Sequence, residues 1–311
     1  MLSTVQLDAP AKINLHLRVG PPRPDGFHSI ASIFQAISLA DRIRVSIDSS
    51  QTGIELHCNA DCAPQDNTMY RAASLFLDAA RANGVSPSGI RIDAEKLIPA
   101  GGGLGGGSSD AAAVLKALDM LFPATVPAGR LLELALRVGS DVPFFLGSPC
   151  QAVRGRGEIL NPMDARDDYS LVLAHPGVSV ATKDAYRALD AARSAVDSSA
   201  YSVSTRSYAD ERWLDEDIQT AMDAYRKQEP GAWQFCNDFF GPVSAMQLKI
   251  AQLYAHMGTL DADFLSMSGS GSVLYAIYHD EDKAIRALEA LKHGGIQAWL
   301  AFPLARFPKP V

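Results

Sequence analysis

The chain has 311 residues, about twice the length of a typical domain, so its length favours two domains. Hydrophobic residues make up 47% and charged residues 20% of the chain, a composition typical of a globular protein with a substantial core. The formal net charge of -7 argues against nucleic acid as the main partner, because nucleic-acid-binding domains usually carry a basic face.

The cysteines and the N-terminal residues indicate the cellular compartment in which we expect the protein. Cys58, Cys62, Cys150 and Cys236 are scattered, and no histidine or second cysteine pair completes a zinc site, so we expect reduced thiols. The first residues contain no basic stretch followed by an apolar core, as a signal peptide would. No apolar run approaches the ~20 residues that cross a bilayer. We therefore expect a cytoplasmic protein without a membrane partner.

Strand patterns dominate the first sixty residues. KINLHLRV, residues 12–19, alternates strictly and predicts a half-buried strand with Lys12, Asn14 and His16 on its polar face. PPRPDGFH, residues 21–28, is typical of a turn-rich loop. The segments SIASIFQAISL, DRIRVSID and GIELHC predict further strands.

Helices follow. Apolar spacing predicts a helix from a cap at Asp66-Asn67 to a stop at Asn83-Gly84. IRIDAEKLIP predicts a strand that leads into a glycine-rich run, and helices are expected from Ser108 and over GRLLELALRVG. This order, strands first and then helices, favours an α+β fold over repeated βαβ units.

A domain boundary is predicted at residues 154–168, RGRGEILNPMDARDD, which mix turns and charges. We divide the chain into domains at residues 1–160 and 161–311.

The second half also mixes strands and helices. SLVLAHPG predicts a strand and TKDAYRALDAA a helix, and residues 194–210 form a polar loop that we expect to be mobile. Two helices are predicted at Trp213–Gln228 and Pro242–His256. DFLSMSGSGSVLYAIY predicts two strands around a second glycine turn, EDKAIRALEALKHG a helix and IQAWLAFP a final strand.

The glycine-rich run IPAGGGLGGGSSDAAA, residues 98–113, matches no common nucleotide motif well. Gly101, Gly103 and Gly106 satisfy GxGxxG, but a dinucleotide fold would continue with a strand after the helix, and here another helix follows. A Walker A loop needs a lysine where this run has Ser108. A protein-kinase loop would lead into a strand.

Elementary chemistry nevertheless predicts phosphate binding by this run. Glycines let main-chain N–H groups turn inward, and the start of a helix adds free amides and a positive dipole end. Ser108 and Ser109 could cap the helix, donate to phosphate oxygens or lie beside Mg²⁺. A flexible linker would not have apolar flanks, and helix packing alone would need only one or two glycines.

Phosphoryl transfer also requires a cation and a group that orients the nucleophile. Lys12 could supply the charge, or it could be a solvated lysine at a strand end. Asp141, in GSDVPFFLG, could be a buried functional carboxylate or a turn residue. The residues alone leave both alternatives open.

Three segments in order resemble the GHMP small-molecule kinases: PAKINLHL, PAGGGLGGGSSDAAAVLKAL and SMSGSGSVLYAIY. DGFHSI, GSDVPFFL and VSVATKDAY are similar to the branch that phosphorylates the 2-hydroxyl of 4-(cytidine 5'-diphospho)-2-C-methyl-D-erythritol (CDP-methylerythritol) in non-mevalonate isoprenoid synthesis. The resemblance implies an ATP-binding N-terminal domain like ribosomal protein S5 domain 2, a ferredoxin-like C-terminal domain and a substrate cleft between them. ATP and Mg²⁺ are the implied cofactors.

The resemblance also implies roles for individual residues. Asp141 matches the catalytic base and Lys12 its charged partner. Asn14, two residues along the strand, could reach the substrate. Gly269 and Gly271 would bring backbone close to the substrate phosphates or to the glycine-rich run, and Gly269 and Ser270 are expected to bind the substrate.

Cytidine recognition is implied for Phe27, His28 and Tyr186. The family usually has tyrosine at the position of Phe27, so stacking is kept and a hydroxyl is lost. Phe240 stands where the family has the glutamate of an Asn-Asp-x-Glu motif, which leaves the role of that glutamate open here.

The implied ATP loop consists of Pro99, Gly101, Gly102, Gly103, Leu104, Gly105, Gly106, Gly107, Ser108 and Ser109.

Two alternatives stay open. One is another GHMP kinase, acting on homoserine, mevalonate or galactose. The other is a non-catalytic sensor of a sugar or nucleotide with the same fold. We expect a monomer or a weak homodimer.

Overall fold

A computed structural model of the chain describes residues 3–50, 52–59, 63–85, 88–198 and 212–310. In these ranges ten strands form two sheets, with helices packed against both, which confirms the α+β class. No helix among the described residues is both long and apolar enough to cross a membrane.

The first sheet has six strands, and its longest members form the frame of the molecule. The strands are β1 (Thr4–Pro22), β2 (His28–Asp48), β3 (Ile54–Cys58), β4 (Gly89–Glu95), β5 (Cys150–Gly155) and β6 (Ile159–Pro162). β1 runs antiparallel to β2 along nearly its whole length. β5 pairs with the first part of β2 and β4 with its last part. β3 lies parallel to β4, and β6 antiparallel to β5.

The two long strands differ from the predictions in two respects. SIASIFQAISL and DRIRVSID form one continuous strand, β2, rather than two. The predicted half-buried strand within β1 is buried on both faces, since Lys12 is 4%, Asn14 2% and His16 4% exposed. The second half of the chain covers this polar face, which the alternation of residues 12–19 could not reveal.

Three helices lie beside the first sheet: α1 (Thr68–Ala82) and α2 (Gly106–Leu121) pack on its strands, and α3 (Ala128–Val138) packs on α1 and α2. The side chain of Asn67 accepts a hydrogen bond from the Met69 main-chain nitrogen at 2.9 Å, which confirms the predicted cap of α1. α2 begins two residues before the predicted start. Its N-cap is Gly105, so neither Ser108 nor Ser109 caps the helix.

The second sheet has four antiparallel strands, β7 (Ser170–His175), β8 (Phe264–Met267), β9 (Leu274–Tyr278) and β10 (Gln297–Ala301). Their order is β10-β7-β9-β8. Helices separate β7 from β8 and β9 from β10, so the topology is βαββαβ, as in ferredoxin-like folds.

Among the described residues of this half there are five α-helices: α4 (Thr182–Ser198), α5 (Arg212–Lys227), α6 (Phe240–Met246), α7 (Leu248–Met257) and α8 (Glu281–His293). The predicted single helix Pro242–His256 is therefore wrong. Gln247 has an extended backbone, with φ -127° and ψ 89°, and separates α6 from α7. Of the predicted loop 194–210, residues 194–198 continue α4, and residues 199–210 lie outside the described residues.

The two halves join along β1. Leu17 donates its main-chain N–H to Cys236 O at 2.8 Å and accepts from Asp238 N at 3.0 Å. Tyr275 of β9 donates its hydroxyl to Asn14 O at 2.8 Å. The predicted division at residue 160 stays a prediction; β6 crosses that position, and residues 163–169 contain no helix or strand.

Candidate active site

A cavity of about 670 Å³ lies where the two halves meet. Both halves of the chain line it, including all eight of the predicted catalytic and substrate-binding residues. These are Lys12, Asn14, Phe27, His28, Asp141, Tyr186, Gly269 and Ser270.

A second cavity, of about 430 Å³, lies beside the first and follows the glycine run. It is lined by Pro99, by every residue from Gly101 to Ser108, and by Lys96 and Asp110. Gly103, Gly105 and Ser108 line both cavities. The glycine run is therefore the wall that the two spaces share.

Close approach explains two of the glycines. Gly103 has a φ of +76°, and a Cβ there would lie 2.1 Å from the main-chain oxygen of Ser268 in the second glycine turn. Gly105 has a φ of +70°, and a Cβ there would lie 3.0 Å from Cγ of Lys12. Positive φ and this lack of space both exclude side chains. The two glycine turns and β1 thus share one junction.

Lys12 is held at that junction by its main chain and by its side chain. Its N–H donates to Leu104 O at 2.9 Å, which fixes β1 to the glycine run. Its ammonium nitrogen donates to Oδ1 of Asn14 at 2.6 Å and lies 4.5 Å from the centre of the Phe34 ring. The Asn14 amide donates in turn to Ser32 Oγ at 2.9 Å.

Asp141 comes from the opposite side of the cleft, after the end of α3. Its Oδ2 lies 3.8 Å from Nζ of Lys12, and its side chain is 30% exposed. Burial lowers the pKa of the Lys12 ammonium, and the negative charge of Asp141 partly opposes that shift. The cleft thus contains a buried cation and a partly exposed carboxylate facing each other.

The residues predicted to bind a nucleobase line one end of the larger cavity. Phe27 is 56% exposed, and the Arg156 guanidinium lies 5.0 Å from the centre of its ring. The rings of Tyr186 and His28 lie 4.8 Å apart. Nδ1 of His28 lies 2.9 Å from Gly20 O, so that ring nitrogen donates to the main chain.

His28 also has a carboxylate neighbour. Its Nε2 lies 3.4 Å from Oδ2 of Asp190, which is also part of the cavity wall. Both ring nitrogens therefore face acceptors of this chain, which fixes the ring. The hydrogen-bonding edge of a bound nucleobase would then contact the Asp190 carboxylate or the main chain near His28 as readily as it would contact the imidazole ring.

Ser109 is not brought together with the other predicted residues. It is 1% exposed and lies on the far side of α2, in a small space that Lys116, Phe145 and Phe307 also line. Its hydroxyl has no hydrogen-bond partner in the described part of the chain. Ser108, one residue earlier on the helix, lines both cavities.

Two families of known domains match the chain. The GHMP kinases N terminal domain matches residues 67–148, and the GHMP kinases C terminal domain matches residues 231–297. A protein of Treponema pallidum (strain Nichols) named 4-diphosphocytidyl-2-C-methyl-D-erythritol kinase is 38% identical over 294 residues, which cover 93% of this chain and 95% of that protein. The chain belongs to the 4-diphosphocytidyl-2-C-methyl-D-erythritol kinase family.

Other relatives agree. A Thermus thermophilus protein of the same name is 38% identical and covers 94% of both chains. A crystal structure of 4-(cytidine 5'-diphospho)-2C-methyl-D-erythritol kinase superposes with a TM-score of 0.76 and 35% identity, over 96% of this chain and 98% of that one. Homoserine kinase from Cytophaga hutchinsonii has the same fold, with a TM-score of 0.69, 16% identity and coverage of 100% of this chain and 98% of that one.

In this member of the 4-diphosphocytidyl-2-C-methyl-D-erythritol kinase family, we did not predict the function of Asn237 from the sequence. Its side-chain amide donates to Met267 O at 2.6 Å and to Gly269 O at 2.8 Å. Its Oδ1 accepts from the Phe239 main-chain nitrogen at 2.9 Å. Asn237 therefore holds the second glycine turn in place. The Asn-Asp pair in CNDFFGPV was the signal for it.

Asp238 and Phe240 of the same segment have structural contacts. Asp238 accepts from Val19 N at 2.8 Å and pairs with Arg193 at 3.2 Å, so it ties α4 to β1. Phe240, where the resemblance implies a glutamate, packs on Tyr254 with 4.3 Å between ring centres. This ring contact joins α6 to α7.

A buried ionic cluster beneath the glycine run was also missed. The Lys96 ammonium contacts the carboxylates of Asp41 and Asp110, which are 0% and 2% exposed. Asp41 Oδ1 also accepts from the main-chain nitrogens of Leu97 at 2.5 Å and Ile98 at 2.8 Å. Burial raises the pKa of Asp110 to about 7, although the charge of Lys96 opposes this. The cluster links β2 and α2 to the residues that lead into the glycine run.

Proposed function

We propose that this protein transfers the γ-phosphoryl group of ATP to the 2-hydroxyl of CDP-methylerythritol. One observation carries the proposal: Lys12 and Asp141 face each other in a cavity that reaches from the glycine run to Phe27, His28 and Tyr186. The relatives named as kinases of this substrate support it.

The space along the glycine run suits the phosphates of ATP. Backbone without side chains at Gly103 and Gly105, together with the free amides at the start of α2, offers several N–H donors to an anion. Because the run separates the two cavities, a γ-phosphate bound there would point toward Lys12. The glycines thus hold the donor, and the larger cavity is left for the acceptor.

Mg²⁺ neutralises the charge that develops on transferring phosphates and prefers oxygen ligands. Ser108 lines both cavities, and its hydroxyl is the protein ligand that we propose for Mg²⁺. Ser109 points away and is not proposed.

Asp141 would accept the proton of the attacking hydroxyl. Phosphoryl transfer through a loose transition state requires little prior deprotonation, so the carboxylate mainly orients the hydroxyl and takes its proton late. Lys12 keeps its ammonium on Asn14 and 3.8 Å from Asp141, where it can stabilise the moving phosphoryl group.

The far end of the cavity would receive the cytidine. Phe27 offers an exposed ring for stacking, and the fixed His28 ring with Asp190 offers polar groups to the base edge. Asn14, Gly269 and Ser270 line the same cavity and would contact the remainder of the substrate.

Product analysis tests the proposal. The protein is incubated with ATP, Mg²⁺ and CDP-methylerythritol, and ³¹P NMR follows the phosphorus signals. We expect a new phosphate monoester signal beside the unchanged diphosphate signals, together with ADP. Binding without a monoester would instead support the non-catalytic sensor. Cytoplasmic location, a monomer or weak homodimer, and the lack of nucleic-acid and membrane partners stay predictions.

A further inference from the structure

The C-terminal segment, residues 302–308, leaves the second sheet after β10 and pairs with a strand of the first. β5 pairs with the first part of β2 and β4 with its last part, and the C-terminal segment bonds to the stretch between them. Ser38 of β2 donates its main-chain N–H to Phe302 O at 2.8 Å, and Leu304 donates to Ala36 O at 2.9 Å. This pairing fixes where the last residues of the segment lie.

The end of the C-terminal segment packs on residues 141–147, called the Asp141 segment here because it begins with the proposed base. After Asp141 this segment forms a short 3₁₀ helix that contains two aromatic residues. The centre of the Phe307 ring lies 6.2 Å from that of Phe144 and 6.4 Å from that of Phe145. The C-terminal segment therefore supports the Asp141 segment through ring contacts.

Lys116 of α2 joins the two segments. Its ammonium nitrogen donates to Phe145 O at 2.6 Å and lies 4.7 Å from the centre of the Phe307 ring. A cation over an aromatic face is attracted to the ring electrons. One ammonium group thus binds the carbonyl of the Asp141 segment and the ring of the C-terminal segment, so the loss of either contact weakens the hold on the other.

The rings of the Asp141 segment reach the groups that face the cleft. Cζ of the Phe145 ring lies 3.3 Å from the place of a Cβ at Gly105 in the glycine run. The Phe144 ring lies 5.4 Å from the Phe34 ring, over which the ammonium of Lys12 lies. A shift of the Asp141 segment would therefore move the proposed base and disturb the surroundings of Lys12 together.

We propose that the C-terminal segment holds the Asp141 segment in place, with Phe307 and Lys116 as positioning residues for phosphoryl transfer. The inference rests on the proposed function for its effect on turnover. Phe307 and Lys116 line a separate small space beside Phe145, away from the two cavities of the candidate site. Displacement of a catalytic group by about 1 Å can cost about 10²-fold in rate, so support from this distance is enough to affect turnover.

The first test measures the hold on the Asp141 segment and does not depend on activity. Mass spectrometry follows hydrogen–deuterium exchange in the whole protein and in Phe307→Ala. We expect the peptide that covers residues 141–147 to exchange about tenfold faster in Phe307→Ala, because its main-chain hydrogen bonds open more often. Peptides from α8 should not change. Arg306→Ala, at the exposed neighbouring position, is the control. Equal exchange of residues 141–147 in the two variants would overturn the proposal.

The second test separates positioning from general stability. In Phe307→Ala we expect kcat to fall about tenfold, while KM for ATP and for CDP-methylerythritol stays within about twofold, since the binding residues are not displaced. Lys116→Met should show the same pattern, and Phe307→Tyr, which keeps the ring, should retain kcat.

The outcomes of the kinetic test are distinct. A kcat of Phe307→Ala equal to that of Arg306→Ala, or a raised KM with unchanged kcat, would refute the positioning role. Lack of turnover by the unmodified protein would count against the proposed function instead. The exchange rates would then still decide whether the C-terminal segment holds the Asp141 segment.

Discussion

Nζ of Lys12 and Oδ2 of Asp141 lie 3.8 Å apart across the cleft, too far for a direct hydrogen bond and close enough for strong attraction. The ammonium hydrogen bond goes to Asn14 instead, at 2.6 Å. Both charged groups are therefore held near each other, and each keeps capacity for a substrate.

Asp141→Asn keeps the shape of the side chain and removes its ability to accept a proton. We expect kcat with CDP-methylerythritol to fall by about 10²- to 10⁴-fold, which is typical for loss of a general base. KM should change little, because the amide can still orient the hydroxyl. Steady-state kinetics measure both values. Asp167→Asn, at an exposed position, is the control, and a kcat for Asp141→Asn within twofold of that control would contradict the assignment.

Lys12→Met removes the buried charge while filling its space. We expect kcat to fall by about 10³-fold, since the transferring phosphoryl group loses a preorganised cation. Calorimetry should show that CDP-methylerythritol still binds, and circular dichroism should show an unchanged fold. Lys249→Ala removes an exposed lysine of α7 and should have no effect. Turnover of Lys12→Met equal to that of Lys249→Ala would refute the role of Lys12.

The lowered pKa of Lys12 predicts the alkaline limb of the pH–rate profile. Activity requires the charged ammonium, so kcat/KM should fall as pH rises through this lowered pKa, below the range of an ordinary lysine. Lys12→Arg keeps its charge at all accessible pH values, so any activity it retains should show no such limb. If kcat/KM fell at the same high pH in both proteins, the fall would be due to a group other than Lys12.

Lys96→Met should destabilise the fold in a pH-dependent manner. It leaves the buried carboxylates of Asp41 and Asp110 facing each other without their cation, which should cost about 3 kcal/mol of unfolding free energy at pH 8. The pKa of Asp110 is raised, so this group contributes stability at low pH that is lost as pH rises through about 7. The loss in Lys96→Met should therefore be smaller at pH 5.

Urea unfolding at pH 5 and pH 8 measures these free energies. Adding Asp110→Asn to Lys96→Met should restore part of the stability at pH 8, because one buried charge is removed. A loss that is the same at both pH values, with no rescue by the second substitution, would show that the cluster is not ionised as described.

Asn237→Asp keeps the size of the side chain and loses both N–H donors to Met267 O and Gly269 O. A carboxylate next to two carbonyl oxygens should displace the second glycine turn. We expect KM for CDP-methylerythritol to rise by about tenfold, as befits the loss of buried hydrogen bonds that position a binding loop. Asn161→Asp, at an exposed position of β6, is the control. An unchanged KM would show that the turn is held by other contacts.

Local patterns in the sequence predict most of the fold. The alternation around Lys12 and the capped helix from Asn67 depend on neighbouring residues, so both elements are visible in the sequence. The break at Gln247 has no glycine or proline at that position to mark it. Asn14 and His16 are covered by residues more than two hundred positions away, such as Tyr275 and Cys236.

Site residues that belong to sequence motifs could be predicted from the sequence. Residues that act through single long-range contacts could not. Lys12, Asp141 and the glycine run belong to segments that resemble a known family. Asn237, by contrast, acts through two hydrogen bonds to carbonyl oxygens thirty residues away. Lys96 and Asp41 meet only because β2 and the end of β4 lie beside α2.

Substrate preference is the most direct test of the proposal that this protein phosphorylates CDP-methylerythritol. ADP release by the purified protein is measured with CDP-methylerythritol, homoserine, mevalonate and galactose, each over a range of concentrations with ATP and Mg²⁺. We predict that kcat/KM for CDP-methylerythritol exceeds that for each of the other three by about 10³-fold or more, because only that substrate fills the cleft at Phe27 and His28. Lack of turnover of CDP-methylerythritol, or faster turnover of any of the other three, would contradict it.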